Sequence, residues 1–198
     1  CRTHSFPRPR RAAAEMLKKF TEESVSGKTQ LKSSVQRSIR TKLLSQMPQL
    51  EPYLEDILPK KEKWALVKCA EHVSIITLGD GKPLFLQYRD GPFYPSLHLL
   101  HQYPFLLPQV QVDRGAIKHV MRGADIMCPG LTSPGAQMNI EFGKDEVLAI
   151  AAEGKSTFLA IGKSVMSASE IREINNGIGV ANVHYLNDGL WKLETLVG

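Results

Sequence analysis

The stretch VDRGAIKHVMRGADIMCPG, residues 112–130, constrains this chain more than any other. It carries Gly-Ala twice, at 115–116 and 123–124, and closes on Pro129-Gly130. Small residues at that density mark a backbone that something approaches closely. The segment reads as a strand ending at Val112, a turn at Asp113 acting as N-cap, and a helix carrying Ile117, Val120 and Met121. Gly123 is placed to end that helix, and 124–128 returns as a strand. On the residues alone two readings stay open: helix packed tightly on strand, or a backbone floor for a ligand.

The rest of the chain changes period near Trp64. Before it, Leu31, Val35, Ile39, Leu43, Leu44 and Met47 recur at helical spacing, and Pro48 stops the run. EPYLEDIL (51–58) reads as a second short helix broken at Pro59. WALVKC, HVSIITL and PLFLQY then read as strands, the last two joined by a hairpin at Gly79-Asp80-Gly81-Lys82. PSLHLLHQY reads as a helix starting after Pro95. These elements make one α+β unit ending at 107–109.

Beyond Pro108 the texture is many short strands between glycine turns: VQVD, ADIMC, EVLAIAAEG, STFLAIGKS, GIGVANVHYL and GLWKLE. Helices at about 114–121 and 167–174 interrupt them. That pattern predicts a closed or nearly closed small β-barrel.

Charge is unevenly placed. The chain of 198 residues carries a net +5, but CRTHSFPRPRRAAAE (1–15) holds four arginines against one acid, without apolar period. Met16-Leu-Lys-Lys-Phe20 reads as the natural start, and 1–15 as a non-native or disordered leader. Residues 16–68 hold 11 basic and 6 acidic residues, whereas 109–198 hold 8 and 10. A phosphate-seeking surface therefore belongs mainly to the first half, with Lys32, Arg37, Arg40 and Lys42 on the helix 30–47 as candidate contacts.

Several chemistries are disfavoured. Gly154-Lys-Ser156 and Gly162-Lys-Ser164 lack the earlier glycine of a phosphate-binding loop, since Ala149 and Thr157 stand there. Cys69-x-x-His72 and His98-x-x-His101 are lone pairs with no second pair to complete a metal site. Cys128 sits between Met127 and Pro129 with no evident base, and no G-x-S-x-G elbow occurs. Three widely spaced cysteines argue against a disulfide framework. No run of eighteen apolar residues exists to span a membrane. The expectation is a non-catalytic protein with no metal and no cofactor.

The strand, the Gly-Ala helix, the second Gly-Ala, Pro-Gly, and later Ala160-Ile-Gly162 before a polar helix resemble the PUA domain, an RNA-binding β-barrel. DGPFYPSLHLLHQYP (90–104), MCPGLTSPGA (127–136) and HYLNDGLW (184–191) are similar to the malignant-T-cell-amplified-sequence family, and the resemblance covers about 16–193. It implies an N-terminal α+β domain over 16–108, a PUA domain over 109–193 and a tail over 194–198. It also implies a cytoplasmic heterodimer with the density-regulated protein, in a complex resembling ligatin. That complex would bind the small ribosomal subunit and tRNA, in release of deacylated tRNA, reinitiation and non-standard initiation.

Under this resemblance Gly115, Ala116, Gly123, Ala124 and Gly130 become the floor of a cleft for the unpaired 3′ end of tRNA. Lys118 and Arg122 flank it, and Met127 packs on a base. His119, where relatives often carry Phe, falls on a surface implicated in partner contact. Ser133, before Pro134, is a candidate proline-directed phosphorylation site beside the cleft. Two rival readings are an RNA-modification enzyme or its accessory subunit, because PUA domains often accompany catalytic modules, and a pure protein-interaction adaptor. Residues 16–108 are short for a synthase domain and offer no paired acid and nucleophile.

Overall fold

The computed structural model describes residues 14–193 and 195–196, so most of the leader read at 1–15 lies outside the described residues. After a helical turn at 14–18, the first half is built on an antiparallel meander. Val25–Gln30 (β1), Ala65–Cys69 (β2), Val73–Thr77 (β3), Pro83–Tyr88 (β4) and Phe93–Pro95 (β5) lie side by side in sequence order.

Helix Ser33–Gln46 (α1) forms because no Gly or Pro interrupts 31–47, and Ile39, Leu43 and Met47 recur every four residues. All three are buried, and Leu43 has no exposure at all. Shortening Leu43 to Ala would cost about 2–5 kcal/mol. Val35 does not join this stripe; it is 42% exposed. Pro48 opens a 3-10 segment, Pro48–Tyr53, that runs into the single turn Leu54–Ile57 (α2). Trp64 is fully buried, and its indole N–H donates to the Pro59 carbonyl at 2.9 Å.

Helix Leu97–Gln102 (α3) starts where Ser96 caps it, the hydroxyl accepting from the Leu99 N–H. A 3-10 turn, Pro104–Leu106, then leads into the second sheet. Its strands are Gln109–Val112 (β6), Ile126–Met127 (β7), Val147–Ala152 (β8), Phe158–Ser164 (β9) and Ile178–Tyr185 (β10), in the order β6-β8-β9-β10-β7. Only β6 and β8 run parallel. Register shifts between Ile150 and Ala151 and between Asn182 and His184 fall where the sheet curls into a half-barrel. Helices Arg114–Val120 (α4), Pro129–Thr132 (α5) and Ala168–Ile174 (α6) cover it, and Gly189–Lys192 (α7) follows β10.

The curled sheet is buried on both sides. Leu148, Ile150, Leu159, Ala160 and Val180 face their own core, while Val147, Ala149, Phe158 and Ile161 join the core of the first half. Every residue of β9 is buried, which is why Phe158 to Ile161 form a continuous apolar run rather than an alternation. Its one cation, Lys163, lies 2.6 Å from the Asp145 carboxylate. Two imidazoles of α3 rivet the halves together. His98 stacks on Trp191 with ring centroids 4.0 Å apart, its Nε2 lying 3.0 Å from the Trp191 carbonyl. His101 Nε2 lies 2.9 Å from the Phe158 carbonyl.

Two sequence expectations need correction, and two strands were not anticipated. GLWKLE is not a strand. Asp188 accepts from the Trp191 N–H at 2.8 Å and closes the helical turn α7 instead. ADIMC shrinks to the two paired residues of β7. β1 and β5 carry no strand signal in the sequence: β1 is exposed along most of its length, and β5 is three residues long.

Candidate nucleic-acid interface

The segment that opened the sequence analysis folds as β6, α4, a turn, β7 and α5. Asp113 caps α4, its carboxylate accepting from the Ala116 N–H at 2.8 Å. The Arg114 N–H at the same end donates to Glu153 at 2.8 Å. At the helix start the N–H groups of Arg114 and Ala116 are therefore already satisfied. At the other end Gly123 takes φ +85°, a left-handed conformation that glycine accepts without strain.

The glycines divide into two kinds. A β-carbon on Gly123 would lie within 2.8–2.9 Å of three atoms of the Tyr185 ring. The N–H groups of Gly123 and Ala124 are already spent on the carbonyls of Val120 and His119. Gly130 is buried, and its missing side chain makes room for the Ala116 methyl group. Its carbonyl accepts from the Asp113 N–H at 3.1 Å. Gly130 is thus a contact between α5 and α4, which corrects its placement on a cleft floor: its backbone faces the interior. Gly115 is exposed and open apart from the Asp113 carboxylate, and Ala116 is half-buried.

What remains outward is a compact polar face. Arg114 and Lys118 are one helical turn apart on α4, Arg122 follows in the turn, and all three are exposed. Among the described residues none of the three is held in an ion pair. His119 and Ala124 are also exposed, and Met127 presents 47% of its surface on β7. Cations beside an exposed thioether and open backbone can hold a phosphate chain and pack on an unpaired base. Ser133 is half-buried at the end of α5, its N–H donating to the Pro129 carbonyl at 2.9 Å.

Asn182 holds this face in place. Its buried side chain donates to the carbonyls of Val120 at 3.1 Å and Ala124 at 3.0 Å, and its N–H donates to Asp125 at 2.9 Å. The turn after α4 is therefore fastened to β10. Sequence reasoning missed both Asn182 and Arg114. The signals were there: a lone amide inside the apolar run GIGVANVHYL, and the four-residue spacing from Arg114 to Lys118.

Neither described thiol suits catalysis. Burial pushes Cys69 up to about 11 and also raises Cys128, whose Sγ sits 3.4 Å from the Asn176 carbonyl. A protonated, buried thiol is a packing group. Burial, then the Asp188 and Glu15 carboxylates, raises the Tyr185 hydroxyl.

In the first half, Lys32, Arg37 and Lys42 are exposed along α1, but Arg40 is not free. Its guanidinium donates to the Leu58 carbonyl at 2.7 Å and to Glu55 at 3.0 Å, with 15% of the side chain exposed. Arg40 fastens α1 to α2. With so little of its side chain open, it offers less to a phosphate than Lys32, Arg37 and Lys42 do.

Comparison with known proteins agrees with this architecture. Residues 20–104 match the pre-PUA-like domain, and residues 108–186 match the PUA domain. Malignant T-cell-amplified sequence 1-A of Xenopus laevis is 54% identical over 181 residues, spanning 91% of this chain and 99% of that one. Malignant T-cell-amplified sequence 2 of Homo sapiens is 52% identical over the same length, spanning 91% and 99%. Among solved structures, a hypothetical protein of Pyrococcus horikoshii aligns with a TM-score of 0.68 at 26% identity, covering 85% of this chain and 99% of that one.

Proposed function

The chain belongs to the malignant T-cell-amplified sequence family, and from that premise we propose that it is a non-catalytic translation factor that binds RNA through its PUA half. Its RNA targets are the small ribosomal subunit and the unpaired 3′ end of tRNA, and it acts in the cytoplasm with the density-regulated protein as partner. The steps it serves are release of deacylated tRNA, reinitiation and non-standard initiation.

One observation carries the reading. Arg114 and Lys118 stand exposed on α4, Arg122 on the turn that Asn182 fixes to the sheet, and Met127 on β7, which follows that turn. A half with more acidic than basic residues thus places three exposed cations on a segment where Gly115 and the Met127 thioether are exposed as well. This favours a single-stranded end, held by its phosphates and stacked on its base, over a duplex read along its length. Gly115, Ala116 and Ala124 border this face, while Gly123 and Gly130 shape it from within. Lys32, Arg37 and Lys42 supply a second basic surface that docks on ribosomal RNA. His119 lies at the edge shared with the protein partner, and phosphorylation of Ser133 would set negative charge against the RNA backbone.

The test is co-sedimentation with purified small subunits, with and without the density-regulated protein. Salt-sensitive binding that strengthens with the partner supports the reading. Absence of the chain from the subunit fraction at low salt under both conditions overturns it.

A further inference from the structure

Three aromatic rings meet on the surface of the first half. Tyr53 lies 4.7 Å from Phe105 and 5.7 Å from Tyr103, and Tyr103 stands edge-on to Phe105 at 6.1 Å. Tyr53 is 38% exposed and Phe105 40%, although the apolar side chains on either side of them, Leu54 and Leu106, are buried. Tyr53 and Phe105 come from two 3-10 segments, Pro48–Tyr53 and Pro104–Leu106, each stiffened by proline, and Tyr103 is the cap residue that precedes the second. Gln49 ties the segments together by donating to the Leu106 carbonyl. The cluster is thus exposed yet rigid, so little ordering is needed when it is covered.

Charge decides what covers it. In a chain of net +5, no Lys or Arg occurs from 43 to 59 or from 102 to 113, the two stretches that supply the rings. The first holds Glu51, Glu55 and Asp56, all exposed. Glu55 is paired with Arg40 and Lys60, but Glu51 and Asp56 make no ion pair among the described residues. An aromatic platform for nucleic acid is flanked by cations that hold the phosphates. This one is flanked by carboxylates that repel them. A guanidinium fits both features, stacking on the face of a tyrosine while its charge is met at the rim.

We propose that the Tyr53–Tyr103–Phe105 cluster is a docking surface for an extended, arginine-bearing segment of a protein partner. The rings form the centre of the contact, and Glu51 and Asp56 form its rim. This surface is separate from the RNA face on α4 and does not depend on it.

The test uses the full chain and a fluorescein-labelled peptide of Arg-Pro-Leu repeats. Its twin with Glu for each Arg, and an oligouridylate of matched length, serve as controls. The arginine peptide binds, and Tyr53→Ala with Phe105→Ala weakens it by about tenfold or more without lowering the melting temperature. Glu51→Lys with Asp56→Lys, which keeps the rings, weakens it comparably at low salt. Oligouridylate binding is unmoved by the ring pair. Any of four results overturns the proposal: no binding of the arginine peptide, equal binding of the glutamate twin, displacement of the peptide by oligouridylate, or a dimer of the chain that Tyr53→Ala dissolves.

Discussion

The ring of Tyr185 occupies the space that a side chain at Gly123 would need, its Oη lying 2.8 Å from where a β-carbon would stand. The second Gly-Ala step is therefore, at its glycine, a packing feature of the turn between α4 and β7. Gly123→Ala meets both this clash and a φ of +85°, so it should destabilise by about 2–4 kcal/mol. Gly115→Ala, on the exposed first turn of α4, should stay within about 1 kcal/mol of the parent. Urea unfolding of the two variants tests this contrast, and equal losses would contradict it.

Asn182 should matter to RNA binding without touching RNA. Asn182→Leu strands the Ala124 carbonyl and leaves that of Val120 with only the Gly123 N–H, and should cost about 1–3 kcal/mol. Below the variant's melting temperature, tRNA affinity should still fall, because the turn bearing Arg122 is no longer fixed. Parallel melting and binding curves separate the two effects; unaltered affinity at a temperature where the variant is folded would refute the positioning role.

Along α1, stability and ribosome binding should part company. Arg40→Ala removes the bonds to Leu58 and Glu55 and should lower stability by about 1–2 kcal/mol. Arg37→Glu with Lys42→Glu should leave melting unchanged and weaken small-subunit binding. Each lost phosphate contact lowers the salt slope by roughly one unit. A salt series of binding isotherms reads this directly, and an unchanged slope would remove α1 from the interface.

Alkaline pH should find the buried thiol. Cys69 is protonated in the fold up to about 11, against 9.0 for a free thiol. A raised folded value means its contribution is fully present below pH 9 and is lost as pH rises through the folded value. Between those limits the parent should lose roughly 2 kcal/mol more stability than Cys69→Ala does. Parallel denaturation curves at pH 8, about 10 and about 11 measure the difference; identical pH slopes would contradict it.

The legible part of this molecule was written in local pattern. The four-residue stripe Ile39–Leu43–Met47, the Gly79–Lys82 hairpin and the Asp113 cap each act within a few residues, and each is found where it was read. What escaped was decided by distant partners. Arg40 looks like any helix-surface cation until Glu55 and Leu58 arrive from 15 and 18 residues away. β1 is an edge strand exposed along most of its length, so no alternation marks it. GLWKLE mimics a strand because Leu190, Trp191 and Leu193 fall in a short apolar run after a glycine, and only the Asp188 cap reveals a helix. At the candidate site the cations and Met127 were legible as types. The division of the glycines into packing and surface was not, since it depends on Tyr185 and Ala116 lying across the fold.

The central claim is that the α4 face holds the unpaired 3′ end of tRNA. It is tested most directly by the affinity of the parent chain for intact tRNA and for tRNA trimmed of its terminal nucleotides, set beside Ala124→Glu combined with Lys118→Ala. The account predicts that the double variant melts as the parent does but binds intact tRNA about tenfold more weakly, or roughly 1.4 kcal/mol. It also predicts that the parent binds trimmed tRNA as poorly as the variant binds intact tRNA. Equal binding of trimmed and intact tRNA by the parent would contradict it.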